Sequence, residues 1–233
     1  MRDRPLLYDI YCGAGGAGMG YYRAGFRVIG IDNKPQKHYP FGFIQMDALE
    51  FLDRYIAGEF ERADAFHASP PCQRYSRLRH LPWLKDKIYW DSIPPTRAML
   101  EKLSCLWVME NVEDAPVEGI TLCGQMFGLP IFRHRKFESN ILLMQPPHEK
   151  HNGVLAHGRA TMGKKYRTGQ IGIKEISRDS IAGHNGNAKG RTAMGIDWMM
   201  TRYELSQSLP PVYTNYIGGY LLKAVLERGV CNE

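Results

Sequence analysis

Residues 9–20 read DIYCGAGGAGMG, at the junction of an apolar run, LLYDIYC (residues 6–12), and a helix-like segment. Glycines 13, 15 and 18 are spaced as GxGxxG. That spacing lets backbone come close to a ligand at a helix N-terminus, where unpaired N–H groups and the helix dipole gather. A second apolar run, RVIGID, ends at Asp32, 19 residues after Gly13. A carboxylate at that distance can meet a ribose hydroxyl, so the pair fits any adenosine-bearing cofactor. Strand, glycine turn, helix and strand in that order begin a parallel α/β sheet.

Further out, FGFIQMD (41–47), ADAFHAS (63–69) and LWVMENV (106–112) continue the alternation, with helices expected at Met19–Ala24, Ala48–Ala57 and Thr96–Leu103. The expected fold class is α/β, a doubly wound, mostly parallel, Rossmann-like sheet. Ligands of such sheets sit outside the carboxyl ends of the strands. Cys12, Asp32, Asp47, Cys72 and Glu110 all fall at such ends and should share one rim. Asp47 suits either an adenine edge or the N-cap of the helix that follows it.

HASPPCQRYS (67–76) places Cys72 directly after two prolines. Proline fixes its own backbone and extends the residue before it, so the segment ends a strand in a stiff loop presenting one thiol. Glu110 closes a run that reads as buried, where a charge is costly without a partner or a task. A thiol and a carboxylate on one rim suggest covalent catalysis with acid assistance.

The chain has 233 residues, 44% of them hydrophobic and 23% charged, enough for one sizeable core. Five scattered cysteines without a CxxC pair argue against a disulfide framework and for a reducing compartment. The first apolar run is too short for a signal peptide and no stretch approaches a membrane span. A soluble, cytoplasmic protein is expected, without membrane contact.

Net charge is +6, unevenly placed: residues 133–202 hold thirteen Lys/Arg against five Asp/Glu. A basic segment on a near-neutral body is the footprint of a polyanion-binding surface. Within it, Lys164, Lys165, Arg167 and Arg191 are candidate phosphate contacts, in a glycine-rich stretch read as loop. The irregular segment RLRHLPWLKDKIYWDSIPP (77–95), long for a loop, is expected to be a lid or binding loop; Trp83, Tyr89 and Trp90 could stack on bases or pack on the body. His148 and His151 lie three apart with no cysteine pair beside them, so no metal is expected. Cys105 and Cys123 sit in apolar surroundings and are expected in the core. Order should return with residues 194–211 and a final helix over IGGYLLKAVLERG (217–229).

Together these segments resemble the cytosine-C5 DNA methyltransferases. DIYCGAGGAGMGYYRAGF (9–26) is similar to the family's cofactor loop and VIGIDNKP (28–35) to its ribose-binding segment. SPPCQRYS (69–76) resembles the nucleophile loop and MENV (109–112) the segment of the catalytic glutamate. GLPIFRHRKFES (128–139) is similar to the segment with two arginines two apart, and MTRYELSQSLPP (200–211) to a late segment shaping the recognition region. The resemblance implies an S-adenosylmethionine-dependent methyltransferase fold. It implies catalytic roles for Cys72, Glu110, Arg135 and Arg133. It also implies a cofactor site of Asp9, Tyr11, Gly13, Gly15, Gly16, Asp32, Asn33, Asp47, Ala48, Ser69 and Pro71. Nucleic-acid contacts would come from Gln73, Ser76, Arg77 and Arg79, besides the basic insert. The implied activity is methyl transfer to C5 of a flipped-out cytosine in double-stranded DNA, by a monomer in a bacterial or phage-infected cell.

The implied organisation is a catalytic domain over 1–139, a reduced target-recognition insert over 140–195, and a C-terminal segment, 196–233, returning to the catalytic domain. The chain departs from the family in that short insert and in VYTNYIGGYLL (212–222), where a Gly-Asn-Ser segment is usual. Alternatives are the same chemistry on RNA, a nucleic-acid-binding relative with weak catalysis, and a nicotinamide oxidoreductase. The last leaves Cys72, Glu110 and the basic segment without roles.

Overall fold

A computed structural model describes residues 4–76, 86–148, 186–198 and 200–230. The described residues form a seven-stranded sheet in the order β3-β2-β1-β4-β5-β7-β6. The strands β1 (Leu6–Ile10), β2 (Arg27–Asp32), β3 (Gly42–Gln45), β4 (Ala65–Ala68) and β5 (Leu106–Val112) run parallel. β7 (Arg135–Ser139) runs antiparallel between β5 and the edge strand β6 (Ile120–Leu122).

Central strands of a parallel sheet are covered on both faces, so they read as continuous apolar runs. β1 and β4 are buried at every residue. Alternation then divides the core. Tyr8, Ile10, Phe66 and Met109 pack with Phe51 and Leu52 of α2 (Ala48–Ile56) and Ile93 and Leu100 of α3 (Ile93–Leu100). On the other face Leu7, Ala65 and Val108 pack with Tyr21 of α1 (Gly16–Ala24) and Tyr213, Ile217 and Leu221 of α6 (Pro211–Val230). α4 (Gly186–Met194) and α5 (Arg202–Gln207) lie between; Met194, Ile196 and Leu205 pack on Ala14 of the glycine loop and on Ile131.

The five expected strands are present. The helices differ more. α1 begins three residues before Met19 and α3 three before Thr96. In α3 the prolines 94 and 95 occupy the first turn, where a missing N–H removes no helical bond. α6 begins at Pro211, six residues ahead of Ile217. Helix α4 forms inside the stretch expected to stay irregular as far as Gly195. Among the described residues, no helix is long and apolar enough to cross a membrane.

Candidate active site

The sheet register sets the rim. Ile10 pairs with Ile31 on one side and Ala68 on the other, and Ala68 pairs with Met109. The next residues, Tyr11, Asp32, Ser69 and Glu110, therefore emerge at one edge. Tyr11 leaves β1 with φ 60°, a left-handed conformation uncommon outside glycine. Its hydroxyl lies 2.9 Å from Thr96 Oγ1 of α3, which holds the turn. Gly15, with φ 87°, makes the second sharp turn and caps α1. Asp32 spans the loop: its Oδ2 accepts from the Gly13 amide at 3.2 Å and its Oδ1 from the Lys34 amide at 3.0 Å. At Gly13 a side chain would meet only open space, so this backbone faces outward and fits a ligand cradle.

Of the other residues expected around the cofactor, Asn33 and Pro71 are exposed, Ser69 is half-buried, and Gly16 and Ala48 are buried at their helix starts. Asp47 is exposed and caps α2, accepting from the Leu49 and Glu50 amides at 2.9 and 3.3 Å. Asp9, also expected around the cofactor, is fully buried. Its Oδ2 accepts from the Tyr39 hydroxyl at 3.2 Å, and a side chain at Gly18 would come within 2.8 Å of that oxygen. Burial pushes the Asp9 carboxyl up to about 8, eased by Tyr39 and the Gly18 amide and reinforced by the Asp32 charge.

Cys72 sits in a turn whose carbonyl accepts from the Tyr75 and Ser76 amides at 3.0 and 2.9 Å. The loop is tied to β5 by buried Asn111, whose Nδ2 donates to the Pro70 carbonyl at 2.8 Å. Two prolines and this bond leave the thiol little freedom. Burial raises the Cys72 pKa; Arg135 draws it back down, Glu110 pushes it up, and Arg133 lowers it. Glu110, 6% exposed, is also raised by burial, against the pull of Arg135, the Ser69 hydroxyl and Arg133. The shared charge effects join the four residues expected to be catalytic into one electrostatic cluster.

Register explains the Glu110–Arg135 pair. Glu110 pairs with Phe137 and Val112 with Arg135, so Arg135 is the diagonal neighbour of Glu110 on one face. Arg135 Nε stands 3.0 Å from Glu110 Oε1. Arg133 is 2% exposed and donates to the Ser206 carbonyl at 2.8 Å, while its own carbonyl accepts from the Tyr213 hydroxyl at 2.7 Å. Among the described residues its Nε finds no acceptor, and burial lowers its pKa to about 9. The arginine is built in as a fixed brace.

Sequence reasoning gave no role to His67. It is fully buried, with Nδ1 3.0 Å from the Tyr21 hydroxyl and Nε2 2.8 Å from Ser69 Oγ. Burial lowers its pKa to about 3, so the ring is neutral. With the ring neutral, the two contacts fit Tyr21 donating to Nδ1 and Nε2 donating to the Ser69 hydroxyl. One polar residue within an apolar strand was the signal available for it.

Among the expected nucleic-acid contacts, Gln73 is exposed and Ser76 half-buried. Arg77, Arg79, Lys164, Lys165 and Arg167 lie outside the described residues, as does Trp83. Arg191, a candidate phosphate contact, is half-buried and its Nη1 donates to the Trp198 carbonyl at 3.0 Å. Trp198 in turn donates to the Ala14 carbonyl at 2.9 Å, so Arg191 braces a segment on the glycine loop. Trp90 is 76% exposed; Tyr89 is half-buried, its carbonyl receiving a bond from Arg74.

No family model matches the chain. Solved structures do resemble it. One, a protein assigned as a DNA modification methyltransferase encoded within a prophage (E. coli), superposes with TM-score 0.59 at 15% identity, over 96% of this chain and 99% of that one. The Entamoeba histolytica methyltransferase EhMeth gives 0.57 at 13%, over 96% and 99%. The S. pombe Dnmt2 methyltransferase gives 0.55 at 13%, over 95% and 99%. The fold implied by the sequence resemblance is thus the fold observed, that of S-adenosylmethionine-dependent methyltransferases.

Proposed function

We propose that this protein is a DNA (cytosine-5)-methyltransferase that uses S-adenosylmethionine and acts on a cytosine flipped out of double-stranded DNA. The observation that carries the reading is Cys72, held by two prolines and Asn111 within the electrostatic reach of a buried Glu110–Arg135 pair. The reactive atom is a thiol, and cytosine C5 is not nucleophilic enough to take a methyl group unaided.

Cys72 Sγ, as the thiolate, adds to C6, and Glu110, whose pKa burial raises, gives a proton to N3 as charge develops there. C5 becomes enamine-like. When bound, S-adenosylmethionine supplies an electrophilic sulfonium methyl group. After C5 is methylated, its proton passes to water, the C6–S bond breaks with Cys72 leaving as thiolate, and N3 returns its proton to the Glu110 carboxylate. Arg135, released from sole attention to Glu110, would meet the base O2, with Arg133 as backbone support. The fit of the donor rests on the outward-facing Gly13 backbone and on Asp32, whose carboxylate already organises that loop. A ring inside a duplex cannot reach Cys72, which is why the base must leave the stack.

Domain roles follow in the same reading: residues 1–139 and 196–233 supply the chemistry, and the basic segment within 140–195 grips phosphates of a nucleic acid in the cytoplasm. The same chemistry on RNA is the second reading; one of the similar folds is a Dnmt2 methyltransferase, another a DNA modification protein. Labelled S-adenosylmethionine with DNA or tRNA, followed by nucleoside analysis, separates them. DNA carrying 5-fluorocytosine should be trapped covalently at Cys72 once C5 is methylated, because fluorine cannot leave as a cation. Label in N4-methylcytosine or N6-methyladenine, or no adduct on an active enzyme, would overturn the proposal.

A further inference from the structure

Three sulfur and nitrogen donors converge where β6 ends and β7 begins. Cys123 follows β6 and is fully buried, half-buried His134 immediately precedes β7, and exposed His148 closes the described stretch 86–148. One donor atom of each lies within 4.8 Å of the other two. We propose that Cys123, His134 and His148 form a transition-metal site, with zinc as the resident ion and a fourth position for water or another ligand.

The geometry is close to what a metal requires. With metal–sulfur near 2.3 Å and metal–nitrogen near 2.0 Å, tetrahedral donors stand roughly 3.3–3.6 Å apart, so the present arrangement must close by about 1.5 Å at most. The exposed His148 ring can make that adjustment. The two imidazole centroids are 5.3 Å apart with an interplanar angle of 61°. Two rings reaching one tetrahedral ion place their centroids roughly 5 Å apart. A thiolate with two imidazoles selects zinc or a neighbouring transition ion over magnesium or calcium, which prefer oxygen. The Glu113 carboxylate acts on both Cys123 and His134, adding negative charge where a cation would sit.

The sequence reading expected no metal because HEKH has no cysteine pair beside it. These three residues are far apart in the chain, and only the antiparallel β6–β7 pairing brings two of them together. His151 lies outside the described residues and is not counted as a ligand. The site would serve a structural purpose. His134 stands between Arg133 and Arg135, and its carbonyl accepts from Arg135 Nη1 at 2.8 Å. A metal there would pin the backbone carrying both arginines to the end of β6 and to residue 148. This proposal stands independently of the methyltransferase reading.

The test uses the full chain, stripped with chelator and titrated with Co(II). The expected result is one Co(II) per chain, with a thiolate-to-cobalt charge-transfer band that Zn(II) removes, and a metal-dependent rise in melting temperature. His148→Ala, at an exposed position, should weaken binding about 10-fold or more. Cys123→Ser should abolish the band, while Cys72→Ser should keep it. Absence of the band in the wild type, its loss in Cys72→Ser, or unchanged affinity in His148→Ala would overturn the proposal. Should Cys123→Ser not fold, the His148→Ala affinity and the Cys72→Ser spectrum decide.

Discussion

Asp9 and His67 are cross-strand partners on β1 and β4, both fully buried, and they titrate in opposite senses. Asp9 is raised from 3.8 to about 8 and His67 lowered from 6.5 to about 3, burial being the leading cause in each. The groups facing Asp9 are the Tyr39 hydroxyl, the Gly18 amide and the Asp32 charge; His67 faces the Tyr21 and Ser69 hydroxyls. For Asp9 the folded state holds its proton after the unfolded chain has lost it. Its contribution is full below about pH 4 and is lost as pH rises to about 8, at roughly 1.4 kcal/mol per unit. For His67 the unfolded chain takes up a proton that the folded state refuses, so stability is lost as pH falls from about 6.5 toward 3 at the same slope. Between about pH 4 and 6.5 the two slopes cancel. Between about 6.5 and 8 only Asp9 remains, and the wild type should lose about 2 kcal/mol. Asp9→Asn removes one slope and leaves the other. The stability of the variant relative to wild type should therefore rise by about 4 kcal/mol from about pH 5 to about pH 9. Urea denaturation of both proteins across that range measures it, and the difference cancels groups common to both. A difference independent of pH would mean that Asp9 is ionised in the fold and the burial argument wrong.

Cys72→Ser should abolish turnover and leave S-adenosylhomocysteine affinity near wild type, since the thiol serves the base; equal loss of both would undo that division of the rim. Glu110→Gln should slow 5-fluorocytosine trapping sharply while the ternary complex still forms, because the amide has no proton to give to N3. Asp47→Ala should cost about 1 kcal/mol of stability through the lost cap of α2. Calorimetry with S-adenosylhomocysteine then tells whether Asp47 also touches the adenine: affinity falls if it does and stays level if it only caps.

What the sequence by itself determined was local. Apolar runs gave the five parallel strands, of which β1, β4 and β5 are covered on both faces. Glycine spacing and the double proline located the glycine loop and the thiol, since both residue types act on their own backbone. β6 and β7 escaped notice: one has three residues, and the other reads RKFES with only Phe137 strongly apolar. Yet their antiparallel register decides the chemistry, bringing Arg135 diagonal to Glu110. Tertiary packing likewise buried Asp9 and set the Arg191 guanidinium against the Trp198 carbonyl. It also joined His67 to Tyr21 and Ser69 and gathered Cys123, His134 and His148. Periodicity and turn chemistry are written over a few neighbouring residues, whereas pairing register and side-chain convergence join residues far apart. Only the folded chain brings those together.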